Sequence, residues 1–112
     1  MRADVAKGHL DSILLASLEG RPLHGYAIME AVKAGSRASF DLPTGTLYPA
    51  LHRLERAGLV RSKWSTVSGR RRRTYELTER GRRKLGEERQ SWKQFSRAVS
   101  NLLGGAPAGA TS

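Results

Sequence analysis

Thr44-Gly45-Thr46-Leu47-Tyr48-Pro49-Ala50-Leu51-His52-Arg53-Leu54-Glu55-Arg56-Ala57-Gly58 is the stretch on which the reading of this chain turns. Leu47, Ala50, Leu51 and Leu54 fall at helical spacing, so one stripe is apolar, and Gly58 supplies the C′ residue at which such a helix stops. Pro49 has no backbone N–H and suits only a first turn, which predicts a helix starting a few residues upstream, capped by Thr44 or Thr46. Opposite the leucines stand Thr46, Tyr48, Pro49, His52, Arg53 and Arg56. With Thr44 and Gly45 at the N-terminus, where free N–H groups favour an anion, this face suits a phosphate backbone and base edges. The bland alternative is that Tyr48 packs on a neighbouring hairpin and the rest is ordinary surface.

Two shorter helices are predicted upstream. Leu10, Ile13, Leu14 and Leu18 make an amphipathic stripe that Gly20 and Pro22 stop, and Gly25 to Ala34 places Ile28, Ala31 and Val32 on one side before Gly35. Ser36 to Pro43 reads as a loop. Downstream, Leu59 to Ser65 alternates, with Val60, Ser62 and Trp64 on one face and Arg61 and Lys63 on the other. Thr74 to Thr78 alternates again, so the two runs form a hairpin whose tip carries Arg70, Arg71, Arg72 and Arg73. Thr78 then caps a long helix that Glu79 favours at its N-terminus and that runs to about Leu103. The fold class expected is mainly α with a small β-hairpin: a winged helix-turn-helix over residues 1–78, a C-terminal dimerisation helix over 79–104, and a disordered tail over 105–112.

Charge agrees with that order. The 112 residues carry 20 Lys+Arg against 10 Asp+Glu, a net charge of +10. Residues 1–59 hold 7 basic against 6 acidic side chains and residues 60–112 hold 13 against 4, so the basic surface belongs to the second half. A polyanion is the partner this implies, nucleic acid ahead of an anionic membrane. One domain of this length excludes a multi-domain enzyme. With no cysteine there is no disulfide framework, thiolate nucleophile or zinc-thiolate site, and the cytoplasm is the default compartment. No apolar run approaches a membrane span. His9, His24 and His52 lie on different elements without metal-ligand spacing, and neither a phosphate-binding loop nor a nucleophile elbow is present. No cofactor and no catalysis are expected.

In the last helix Leu85, Trp92 and Val99 recur every seven residues, with Phe95 and Leu102 at the complementary positions. Such recurrence calls for a helix partner. The helix outruns the needs of a small head, so Leu85, Trp92, Phe95, Val99 and Leu102 are expected to form the seam of a two-fold homodimer, the arrangement in which helix-turn-helix proteins read paired half-sites.

His24-Gly25-Tyr26, the run Thr44-Gly45-Thr46-Leu47-Tyr48-Pro49-Ala50-Leu51, Leu54-Glu55-Arg56-Ala57-Gly58-Leu59 and Tyr75-Glu76-Leu77-Thr78-Glu79-Arg80-Gly81 together resemble the PadR family of bacterial transcriptional regulators, over residues 8 to about 103. The resemblance implies a winged helix-turn-helix repressor that dimerises through its last helix and binds a palindromic operator in double-stranded DNA. It implies Tyr48 touching DNA and Arg70 to Arg73 following the adjacent groove. Arg71, Thr74 and Glu76 depart from residues common in the family at those positions. Short relatives place a tryptophan of the last helix between protomers, against flat aromatic effectors, and Trp92 matches it. Arg89 and Ser96 then share its side, with Ser12 and Leu15 as the opposite wall. Trp92 as plain dimer core is the competing reading, and a nonspecific architectural DNA- or RNA-binding protein is the competing function.

Overall fold

The structure is a computed structural model and describes residues 9–104. Four helices and three strands follow in the order α1 (Leu10–Ser17), β1 (Leu23–His24), α2 (Gly25–Gly35), α3 (Thr44–Arg56), β2 (Val60–Val67), β3 (Arg70–Leu77) and α4 (Glu79–Leu103). Leu14, Leu15, Leu18, Ile28, Leu47, Leu51, Leu54, Val60, Tyr75 and Leu77 fill one core between α1, α2, α3 and the sheet. The apolar stripes of the sequence are the faces that meet there. The disordered tail expected over 105–112 lies outside the described residues.

α3 ends as its glycine requires. Gly58 sits at φ +76°, its N–H donates to the Glu55 carbonyl at 3.0 Å, and the Leu59 N–H donates to Leu54 at 3.0 Å, which closes a Schellman motif. Its beginning differs from expectation. Pro43, in extended conformation, is the N-cap and no side chain caps the helix. Pro49 is therefore the sixth helical residue, in the second turn. The carbonyl that loses its N–H partner belongs to Gly45, which is exposed and open to water, so the helix tolerates the proline.

The hairpin is longer and tighter than its alternation suggests. β2 and β3 stay paired from Val60 opposite Leu77 to Val67 opposite Arg70. Ser68 and Gly69, at φ +51° and +76°, make a two-residue turn with the handedness hairpins favour. Arg70 to Arg73 are thus strand residues rather than a loose tip. Beyond Trp64 the ladder leaves the core, so no period-two apolar pattern marks it, and the backbone pairing continues regardless. The sequence reading also lacked β1, which pairs Leu23 with Tyr75 and His24 with Thr74 and gives the sheet order β1-β3-β2.

α4 is joined to the head at its first turns. The Thr78 hydroxyl accepts from the Gly81 N–H at 3.0 Å and donates to the Gly58 carbonyl at 2.6 Å, tying the cap of α4 to the end of α3. Gly81 lies against the Leu59 carbonyl. Leu85, expected in the dimer seam, is instead 3% exposed within the chain's own core. Heptad recurrence identifies a residue that faces a helix, and for Leu85 that helix is in the same chain. The uncovered apolar side chains begin at Trp92.

Candidate nucleic-acid interface

Because seven residues bring an α-helix back almost to the same line, the exposed side of α3 divides into three strips. Gly45, Pro49, His52 and Arg56 form the middle one, all exposed. Thr46 and Arg53 share one edge, where Thr46 is half-buried and Arg53 is paired with Asp11 of α1. Tyr48 and Glu55 share the other edge, beside the hairpin. Tyr48 is 39% exposed, its ring lying across Gly25 at the start of α2. Thr44 is exposed in the first turn. The expected groove-facing residues therefore stand on one surface, except that Arg53 is turned to α1.

The wing carries cations on both faces. Ser62, Trp64 and Thr66 share a face with Arg71, Arg73 and the buried Tyr75, by the register of β2 and β3. Arg61, Lys63, Arg70, Arg72 and Glu76 are on the other, where the Arg61 Nε donates to Glu76 at 2.7 Å. That bond holds the Glu76 carboxyl below its usual range. Lys63, Arg70, Arg71 and Arg73 are exposed and Arg72 is half-buried. Burial, then the charge of Arg72, holds the His24 imidazole below its usual range.

A set of side chains absent from the sequence reading joins α3 to this wing. The Ser62 hydroxyl donates to Glu55 Oε2 at 2.6 Å and accepts from Arg73 Nε at 2.9 Å, while Arg73 Nη2 stands 4.0 Å from the same carboxylate oxygen. The guanidinium groups of Arg73 and Arg71 lie 5.7 and 5.3 Å from the centre of the Trp64 ring, which is 55% exposed. The alternation that put Ser62 and Trp64 on one face was the available signal. Glu55 had none, being an acid in a basic region.

Between α1 and α4 lies an open cavity of about 570 Å³ whose lining includes His9, Ser12, Ile13, Ala16, Phe40, Leu85, Glu88, Arg89, Trp92 and Phe95. His9 meets the Trp92 ring edge-on at 5.6 Å, and Phe95 stacks on it at 6.0 Å. Of the five residues expected here, Ser12, Arg89 and Trp92 line the cavity. Leu15 does not, because it is fully buried on the core side of α1, and Ile13 and Ala16 take its place. Ser96 stands a turn further along α4, half-buried and outside the lining. Arg89 is not a free cation: both its terminal nitrogens donate to Glu19, at 2.6 and 2.5 Å. The Ser12 hydroxyl donates to Glu88 at 2.9 Å and Lys84 lies 3.2 Å away, which together hold the Glu88 carboxyl below its usual range.

Among the described residues no group of three or more His, Cys, Asp or Glu could hold a metal ion, and no helix is long and apolar enough to cross a membrane. Residues 14–87 match the Transcriptional regulator PadR-like family. Over 70 residues, 62% of this chain and 63% of the other, the sequence is 46% identical to the transcriptional regulator Rv3488 of Mycobacterium tuberculosis. The fold is similar to that of a PadR family transcription regulator from Clostridium difficile, with TM-score 0.74 and 35% identity over 88% of this chain and 100% of that one. It is similar also to a PadR-like transcriptional regulator from Bacillus cereus, with TM-score 0.81 and 28% identity over 93% of this chain and 100% of that one.

Proposed function

The chain belongs to the PadR-like family of transcriptional regulators, which are not enzymes, and from that premise we propose that it is a cytoplasmic repressor binding a palindromic operator as a homodimer. The observation that carries the reading is the two-faced cationic hairpin standing beside the exposed strip of α3. A helix in the major groove reads base edges, and a narrow strand pair with arginines on both faces fits an adjacent groove walled by two phosphate backbones. Thr44, Gly45, Thr46, Tyr48, Pro49, His52 and Arg53 would lie along the first groove, with Lys63 and Arg70 to Arg73 along the second. Arg53 would leave Asp11 to do so. Trp92, Phe95, Val99 and Leu102, along the distal half of α4, favour a second copy as the cover for that helix, in line with paired half-sites.

The test is a titration against a duplex selected by the protein from a random pool and against a scrambled duplex of equal composition, at several salt concentrations. Replacing Arg70 to Arg73 with alanine is expected to weaken both duplexes and to reduce the slope of log K against log salt by about 0.9 for each phosphate that is no longer neutralised. Equal affinity of the wild-type protein for the two duplexes would favour the nonspecific architectural reading. An unchanged salt slope would remove the wing from the backbone.

A second reading concerns release from DNA. The aromatic cavity at Trp92 suits a planar aromatic small molecule, and it lies between α1 and the helix proposed to join the protomers. A ligand there would act through unequal affinity for the DNA-fitted and unfitted dimers.

A further inference from the structure

We infer that Glu55 is a positioning residue for DNA binding, acting through Ser62 and Arg73 to fix the Arg73–Trp64–Arg71 stack against α3. The inference rests on the reading that α3 and the wing bind DNA together. A carboxylate on that surface opposes the phosphates, so its place among arginines asks for a compensating role. Its contacts supply one. Ser62 has a single hydroxyl proton, and giving it to Glu55 leaves the oxygen lone pairs to accept from Arg73, so donation runs in one direction, from Arg73 on the wing through Ser62 to the carboxylate on α3.

Arg73 is held at its Nε by Ser62 and near its Nη2 by the Glu55 carboxylate, with its guanidinium carbon 5.7 Å from the Trp64 ring centre. Trp64 stands opposite Arg73 in the strand register, and Arg71 reaches the same ring from the diagonal position. Two long side chains that otherwise sample many rotamers are thereby ordered before DNA arrives, with donors left over for phosphate. Glu55 lies on the same edge of α3 as Tyr48, so the ordered arginines are referenced to the helix that reads bases. Specificity depends on that reference, because a wing free to shift contacts any phosphate, and only a wing in fixed register favours one site over others.

The experiment compares E55Q, S62A, W64L and W64F with the wild-type protein on the selected and the scrambled duplex, with thermal unfolding as the check on folding. Loss of a repelling charge alone predicts tighter binding of E55Q to both duplexes by the same factor. The inference predicts that E55Q binds the selected duplex more weakly and the scrambled one no more weakly, so that the ratio falls roughly tenfold, the scale of one mispositioned contact. S62A, which changes no charge, should lower the ratio in the same way, as should W64L, while W64F keeps an aromatic face and retains most of it. A wild-type ratio in S62A or W64L, or a uniform gain in E55Q, overturns the inference. If E55Q fails to fold, S62A and W64L decide it. Absence of wild-type preference for the selected duplex would instead overturn the DNA reading itself, and the positioning role with it.

Discussion

The phenol of Tyr48 lies across Gly25 so closely that a Cβ on that glycine would collide with the tyrosine hydroxyl, Cζ and Cε1. Gly25 is buried at the first turn of α2, so the close approach seats Tyr48, the tyrosine proposed to touch DNA, on the helix that precedes α3. Gly25→Ala is expected to leave the fold intact, because the obstructed atoms are the far end of a side chain that is already 39% exposed and can swing aside. Affinity for the selected duplex should fall about tenfold, the loss of one charge-assisted hydrogen bond to phosphate. Tyr48→Ala should cost about the same. The double variant should lose no more than Tyr48→Ala alone, since both changes remove the same hydrogen bond. Additive losses in a titration would separate Gly25 from Tyr48.

Gly81 makes the opposite kind of close approach. A Cβ there would run into the carbonyl of Leu59, which is backbone and which also accepts from the Thr78 N–H at 3.1 Å. Neither group can swing aside. Gly81→Ala is therefore expected to destabilise the chain by about 2–3 kcal/mol, as overpacking of a fixed contact does, with a fall in Tm of roughly 10 °C or more for a domain of this size. Gly86→Ala is the control, because nothing lies within 4 Å of a Cβ at that position. Equal melting temperatures for Gly81→Ala and the wild-type protein would mean that α4 can shift away from the sheet at little cost.

What the sequence discloses follows the range of the physics involved. The four helices, Gly58 and the Thr78 cap are local: each depends on residues within a few positions, and each stands in the chain as a spacing or a residue type. The outer half of the hairpin is local in its turn, Ser68-Gly69, but its strands leave the core after Trp64, and four successive arginines hide a ladder that needs only backbone groups. Leu85 shows the limit of a repeat, which specifies contact with a helix and not whose helix it is. Glu55, Ser62 and Arg73 meet across separations of seven and eleven residues with no periodicity. The cavity likewise takes Phe40 from a loop and His9 from the edge of α1, where no pattern marks them.

Acid should loosen the junction of α1 and α4. Glu88 is held below its ordinary value of 4.5 first by the Ser12 hydroxyl and then by Lys84, with His9 adding its charge, and Glu19 is held down by Arg89. A carboxyl whose folded pKa is depressed stabilises the native state above the unfolded value, and that contribution is lost as pH falls through the folded value. Melting temperature is therefore expected to hold its level from neutrality down to the ordinary carboxylate range and to decline below it. In Glu88→Gln the decline should be shallower, so that the two curves draw together at the acid end. Glu19 is exposed and Glu88 only half-buried, so solvent screening keeps the effect small. Parallel curves for the variant and the wild-type protein would show that Glu88 does not contribute to the acid response.

Trp92 is 57% exposed, Phe95 50% and Leu102 86%, on a helix whose 25 residues extend about 37 Å, well beyond the part covered by α1. Light scattering is expected to report a dimer, and Phe95→Glu with Leu102→Glu to give a folded monomer, because the core residues of the head, Leu85 included, are untouched. A wild-type monomer would leave that helix face to another partner. Trp64→Phe makes Trp92 the sole indole, and its fluorescence should be quenched by a planar aromatic compound that stacks in the cavity. The charge preference follows from Glu19. Arg89 already gives two hydrogen bonds to that carboxylate, so an aromatic acid gains the guanidinium only by displacing it, whereas a neutral ring has nothing to displace. Glu19→Gln should therefore tighten binding of an aromatic acid several-fold and leave a neutral analogue unchanged, since each unit of pair attraction surrendered to the ligand appears directly in its affinity. If no planar acid, neutral ring or cation quenches at sub-millimolar concentration while the dimer still binds its selected duplex, Trp92 belongs to the dimer seam alone.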